Sequence, residues 1–75
     1  PEERYQKKEM QKVLRDSIAG LRENEQVVLS LYYQKMLQMK EIAKVLGVSE
    51  PRVSQIHSNA IRKLRAAMTA YIYDT

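Results

Sequence analysis

Residues 39–56 read MKEIAKVLGVSEPRVSQI, and their apolar positions, Ile42, Leu46, Val48, Val53 and Ile56, have the spacing of two helices joined by a tight turn. Ala43 supplies a small side chain where the two helices must approach closely. Gly47 accepts at no steric cost the left-handed backbone that ends a helix, so a first helix is expected from about residue 40 to 46, with Gly47 as its C-cap and Val48 turned inward. Ser49 then offers a side-chain oxygen to the free amides of a second helix, which starts near Glu50 and carries Pro51 in its first turn, where no intrahelical N–H is needed. This is a helix-turn-helix pattern, placed at about residues 39–58.

At about 100° of rotation per residue, Val53, Ile56, Ala60, Leu64 and Ala67 gather on one side of the second helix and are expected to face the core. Pro51, Ser54, Gln55, Ser58 and Arg62 project from the other side, with Asn59 and Arg65 at its margins. That face carries hydrogen-bonding and basic groups and no acid after Glu50, which suits a DNA groove. Gln55 can donate to N7 and accept from N6 of adenine in the major groove. Arg52 has only donors and sits near the helix start, so a phosphate is its expected target. Loss of Gln55 should then relax preference at one base pair, and loss of Arg52 should weaken all sequences alike. Arg62, Lys63 and Arg65 are further phosphate candidates. The competing reading for each of these side chains is an ordinary solvated helix position.

The 75 residues suffice for one small domain, and a chain of this size buries only roughly 60% of the surface its unfolded form exposes. Hydrophobic residues at 44% and charged residues at 29%, with two glycines and two prolines, point to a helical globular domain and away from disorder or a sandwich of short strands. Cysteine is absent, which excludes disulfides and thiolate metal sites, and His57 has no second ligand type near it in the sequence, so it reads as a structural residue. No metal or other cofactor is called for. No run of apolar residues approaches the ~20 that a membrane helix needs, so a cytoplasmic protein without a membrane partner is expected. The net charge of +4 is unevenly spread. Residues 1–50 hold nine Lys or Arg against eight Asp or Glu, and residues 51–75 hold four against one. The positive excess therefore travels with the second helix of the motif, as a phosphate-facing element requires. No Ser, His and Asp set, glycine-rich phosphate loop or paired-acid motif is present, which argues against an enzyme.

Ahead of the motif, Met10, Val13, Leu14, Ile18 and Leu21 recur at spacings of three and four, predicting a first helix from about residue 5 to 19 with one buried stripe, ended at Gly20. A second begins between Arg22 and Glu25 and is apolar around most of its circumference through Val27, Val28, Leu29, Leu31, Tyr32 and Tyr33, the mark of a central helix packed on several sides. Residues 34–38 link it to the motif. Residues 66–75 keep helix propensity and add Met68, Tyr71, Ile72 and Tyr73; this tail either packs back on the first helix or awaits a partner. The expected fold is all-α, a small four-helix single domain over residues 1–75 with an extended recognition helix. The opening Pro1 in place of an initiator Met is compatible with a fragment of a longer chain.

The blocks LRENEQVVLSLYY (residues 21–33), KEIAKVLGVS (40–49) and RVSQIHSNAIRKLR (52–65) resemble region 4 of bacterial sigma factors of the sigma-70 superfamily, and the Tyr32–Tyr33 pair with RVSQIH is most similar to the flagellar, or motility, class and its sporulation relatives. The resemblance spans about residues 10–66. It implies a promoter-recognition domain for transcription initiation, working on the nucleoid, that reads the -35 element of promoter DNA while held on core RNA polymerase by the tip of the beta-subunit flap, with an anti-sigma factor as a further partner. The DNA-facing positions it implies are Glu50, Pro51, Arg52, Ser54 and Gln55; the helix face extends these to Ser58, Asn59 and Arg62. Three residues depart from the family pattern. Arg22 stands where a Pro or capping Thr is usual, Gln38 where a capping Thr is common, and Pro51 where a Ser or Glu is more usual, which removes one base or phosphate contact. Two other functions fit the same helices. A response-regulator-type output domain would dimerise through its last helix, which sedimentation with a palindromic site would show. A module that docks on polymerase or an anti-sigma factor would leave the DNA face idle, and DNA binding would then not depend on that face.

Overall fold

The eighteen-residue charged stretch at the N-terminal side forms helix α1 (Glu2–Ala19) in the computed structural model, which describes residues 2–73 and the side chains of residues 8–72. Pro1, Asp74 and Thr75 lie outside the described residues. Helix α1 packs chiefly on α4, with Val13 and Ile18 half-buried while Met10 and Leu14 stay 42% and 37% exposed. Helix α1 ends where expected: the amides of Gly20 and Leu21 donate to the carbonyls of Asp16 and Ile18. Gln26 then reaches back from the next helix, its Nε2 donating to Leu21 O at 3.0 Å and Ala19 O at 3.3 Å, which satisfies carbonyls at and just past the helix end.

Helix α2 (Glu23–Leu29) starts without a Pro or Thr. Arg22 occupies the cap position in an extended conformation, and Glu25 Oε1 accepts from its amide at 2.9 Å. This is the returning half of a capping box; Arg22 has no acceptor to supply the other half. The apolar run does not continue as an α-helix. From Ser30 to Gln34 the chain widens into a π turn, closed by Lys35 N–H donating to Ser30 O at 3.1 Å, and the hydrogen bond that follows, Leu37 N–H to Leu31 O at 3.0 Å, closes a turn one residue wider still. Met36 follows with φ 58, a left-handed conformation at a non-glycine residue, and turns the chain toward α3. The widened turn changes which faces are covered. Val28 and Leu29 are buried, Leu31 and Tyr32 are half-buried, and Tyr33 is 53% exposed, so the segment is packed along one side and not all round. A chain of this size has too few elements to surround it.

Helix α3 (Met39–Leu46) repeats the half-box of α2, with Glu41 Oε1 accepting from the amide of Gln38 at 3.0 Å and no return from the Gln38 side chain. Helix α4 (Glu50–Tyr73) then runs unbroken for 24 residues. It is shared by two adjacent cores. In one, Val53 and Ile56 meet Val28, Ile42 and Ala43, with Leu31, Tyr32, Leu37, Met39 and Leu46 around them. In the other, Ala60 meets Leu21 and Leu29, flanked by Ile61 and Leu64. Of the expected core face of α4, Val53, Ile56 and Ala60 are buried and Leu64 and Ala67 half-buried. The tail takes the first of its two expected courses: Tyr71 OH donates to Glu9 Oε2 at 3.2 Å, and its ring borders a hollow on α1 with Lys12, Val13 and Asp16. No helix among the described residues is long and apolar enough to cross a membrane.

Candidate nucleic-acid interface

Two residues fix how α4 leaves the turn. Gly47 has φ 68 and ψ 34, its amide donates to Ala43 O, and a Cβ built there would meet nothing within 4 Å, so glycine is required by backbone conformation and not by crowding. The next amide, Val48 N–H, also donates to Ala43 O at 3.0 Å. Val48 itself does not turn inward: it is 37% exposed, because Ile42, Ala43 and Val53 already close the core beneath the turn. Ser49 caps α4, its Oγ accepting from Arg52 N–H at 3.2 Å while its carbonyl accepts from Val53 N–H at 3.1 Å. Glu50 and Pro51 occupy the first turn, the acid where the helix dipole favours negative charge.

With Val53, Ile56 and Ala60 buried, the opposite side of α4 is fixed outward. Glu50, Pro51, Arg52, Ser54, Gln55, Ser58 and Arg62 are all exposed, and Asn59 is half-buried at the edge of the face. Arg52 and Gln55 are joined: Arg52 Nη1 donates to Gln55 Oε1 at 2.9 Å. Of the further phosphate candidates, Arg62 and Arg65 lie exposed beside a shallow hollow with Ser58 and His57. Lys63 turns the other way and pairs at 2.9 Å with Glu25, so it belongs to the α2–α4 contact and leaves the basic face. Lys35, Lys40 and Lys44, on the link and on α3, are exposed as well.

Two contacts around this face go beyond the sequence reading. Glu25 is the one buried carboxylate among the described residues, 3% exposed, and the hydrogen bond from Lys63 holds its pKa below the ordinary carboxylate value against the opposing effect of burial, with the Arg22 amide adding to the lowering. Its signal lay in the spacing of Leu21, Glu25, Val28 and Leu29, which puts an acid in the middle of an apolar stripe and so calls for a cation opposite. His57 meets the π turn: Tyr33 OH and His57 Nε2 are 2.8 Å apart, and the rings of Tyr32 and Tyr33 lie 5.2 and 5.7 Å from the imidazole. The widened turn brings Tyr33 there, and no sequence periodicity announces a π turn.

Sigma-70, region 4 is the family that matches, over residues 17–66. The RNA polymerase sigma factor FliA of Pseudomonas aeruginosa is 55% identical over 58 residues, 77% of this chain and 24% of that protein. FliA of Salmonella typhimurium is 57% identical over 53 residues, 71% of this chain and 22% of that protein. The RNA polymerase sigma-D factor of Bacillus subtilis is 46% identical over 65 residues, 87% of this chain and 26% of that protein. The chain thus spans about a quarter of the length of these relatives. No solved structure gives a significant match.

Proposed function

Since the chain belongs to the sigma-70 region 4 family, in its flagellar class, we propose that it is the part of an RNA polymerase sigma factor that binds the -35 element of promoter DNA in the cytoplasm while docked on the flap of core polymerase. The observation that carries this reading is the outward face of α4, where Arg52, Ser54, Gln55, Ser58 and Arg62 stand together on a helix whose start is set by Gly47 and Ser49. An α-helix of this width enters the major groove, and Arg62 and Arg65 further along it match the flanking phosphates. Asn59, Glu50 and Pro51 complete the face as neighbours of the DNA.

Docking on polymerase has separate support. A largely apolar groove between α1, the π turn and α4, bordered by Leu14, Ile18, Leu29, Tyr33, Ile61 and Leu64, lies to one side of the DNA face, so the two partners need not compete. An anti-sigma factor would act by covering that groove or the DNA face. Transcription by core polymerase carrying the full-length parent, on promoters with and without the -35 element, tests the function. Dependence on the element that is lost when the α4 face is substituted is the expected result. Equal transcription from both promoters would leave docking as the role of the domain.

A further inference from the structure

Sequence chemistry assigns Gln55 to a base and Arg52 to a phosphate, but the two side chains are hydrogen-bonded to each other at 2.9 Å on the exposed face. We propose that they act as one reading unit in which Arg52 is a positioning residue: it orients the Gln55 amide so that the pair offers only donors and favours a keto base, guanine or thymine, over an amino base. This rests on the promoter-binding reading of α4.

A guanidinium carries donors and no acceptor, so only the oxygen end of the Gln55 amide can face it, and the alternative flip would set N–H against N–H. The backbone of Arg52 is itself anchored, its amide bonded to Ser49 Oγ, so the guanidinium projects from a fixed point in the first turn of α4. Arg52 makes no ion pair among the described residues; the acid nearest in sequence, Glu50, does not claim it. The amide NH2 of Gln55 has no partner among the described residues. A bidentate contact to adenine needs the Gln oxygen to accept from N6. Here that oxygen already accepts from Arg52, and an adenine amino group brought to its second lone pair would lie beside the guanidinium N–H groups. Guanine N7 and O6 and thymine O4 are acceptors and meet the outward NH2 without that conflict. Both side chains are exposed, so substituting them leaves the two cores untouched.

The test uses holoenzyme formed with the full-length parent, binding to promoters in which each base pair of the -35 element is varied, at several salt concentrations. Gln55→Ala locates the base pair read by this side chain. The expected result is that the unmodified protein prefers a keto base there by about tenfold, that Arg52→Ala flattens the preference at that same base pair, and that adding Arg52→Ala to Gln55→Ala flattens it no further. Arg52→Lys, which still donates to the oxygen, should keep part of the preference. Gln55→Glu, held by Arg52 but presenting only acceptors, should shift the preference toward cytosine. The proposal is overturned if Arg52→Ala weakens all promoters equally with the preference intact and the salt slope reduced by about one, or if the base read by Gln55 is adenine. If the unmodified holoenzyme binds equally well with and without the -35 element, the promoter-binding reading itself fails.

Discussion

Lys63 Nζ donates to Glu25 Oε1 across 2.9 Å, tying the first turn of α2 to the middle of α4 over 38 positions of sequence. The carboxylate is buried and also accepts from Arg22 N–H, so one side chain caps α2 and clamps it to the recognition helix. Removing the cation leaves that carboxylate without its charged partner. Lys63→Met should destabilise the fold by about 1–3 kcal/mol, the range for a buried polar group stripped of a partner, reduced by the exposure of Lys63, whose side chain is 43% open to water. A thermal midpoint equal to that of the unmodified domain would mean that water replaces the ammonium without loss.

The same pair predicts a pH dependence. The pKa of Glu25 is lowered in the folded state, by the Lys63 hydrogen bond before all else, so its contribution is fully present above the unfolded value of about 4.3 and is lost as pH falls through the lower folded value. Melting followed between pH 3 and 7 should show stability falling below about pH 4.5. In Lys63→Met that fall should be shallower. Parallel curves for the two proteins would assign the acid loss to other carboxylates.

Gly47 and Met36 share a left-handed backbone, but it has opposite consequences at the two positions. Gly47→Ala introduces a Cβ that touches nothing within 4 Å, so its cost is conformational alone, about 1 kcal/mol. Gly47→Asn should cost less, since Asn tolerates this region. Denaturant midpoints that rank Ala and Asn equal would contradict a purely conformational origin.

At Met36 the sign reverses. The side chain is 79% exposed and φ is 58, so Met36→Asn removes strain and gives up little packing. A gain of a few tenths to about 1 kcal/mol is expected, read as a raised chemical-denaturation midpoint. A loss instead would show that Met36 packs on Tyr33 or Leu37 more than its exposure suggests.

Gln38 caps α3 with only half a box, since Glu41 returns to its amide and its own side chain makes no cap bond. Gln38→Thr should complete the exchange and raise stability by about 0.5–2 kcal/mol. Calorimetry showing an unchanged or lower midpoint would remove the idea.

Most of the fold could be read because it is written in local chemistry. Gly47, Ser49 and Pro51 punctuate the turn, and the Val53, Ile56, Ala60 stripe fixes which side of α4 points outward. Starts at Arg22 and Gln38 were harder to foresee, because the acid three residues on does half the capping that a Thr would otherwise share. What could not be read is set by tertiary packing. The π turn appears where an apolar run alone would continue as a helix, and it decides that Tyr33 meets His57. Val48 looks inward by polarity, yet the space beneath it is filled by residues distant in sequence. The pairing of Arg52 with Gln55 joins two side chains whose separate chemistries suggested separate targets.

Helix α4 is continuous in geometry, but its burial is graded. Its first half holds the fully buried Val53 and Ala60, whereas from residue 61 to 72 every side chain is half-buried or exposed. Amide hydrogens should therefore exchange slowly from Val53 to about Ile61, through openings close to global unfolding, and faster beyond, through local openings against α1. The end of the rod bearing Arg52 and Gln55 would keep its shape through fluctuations that loosen the other end.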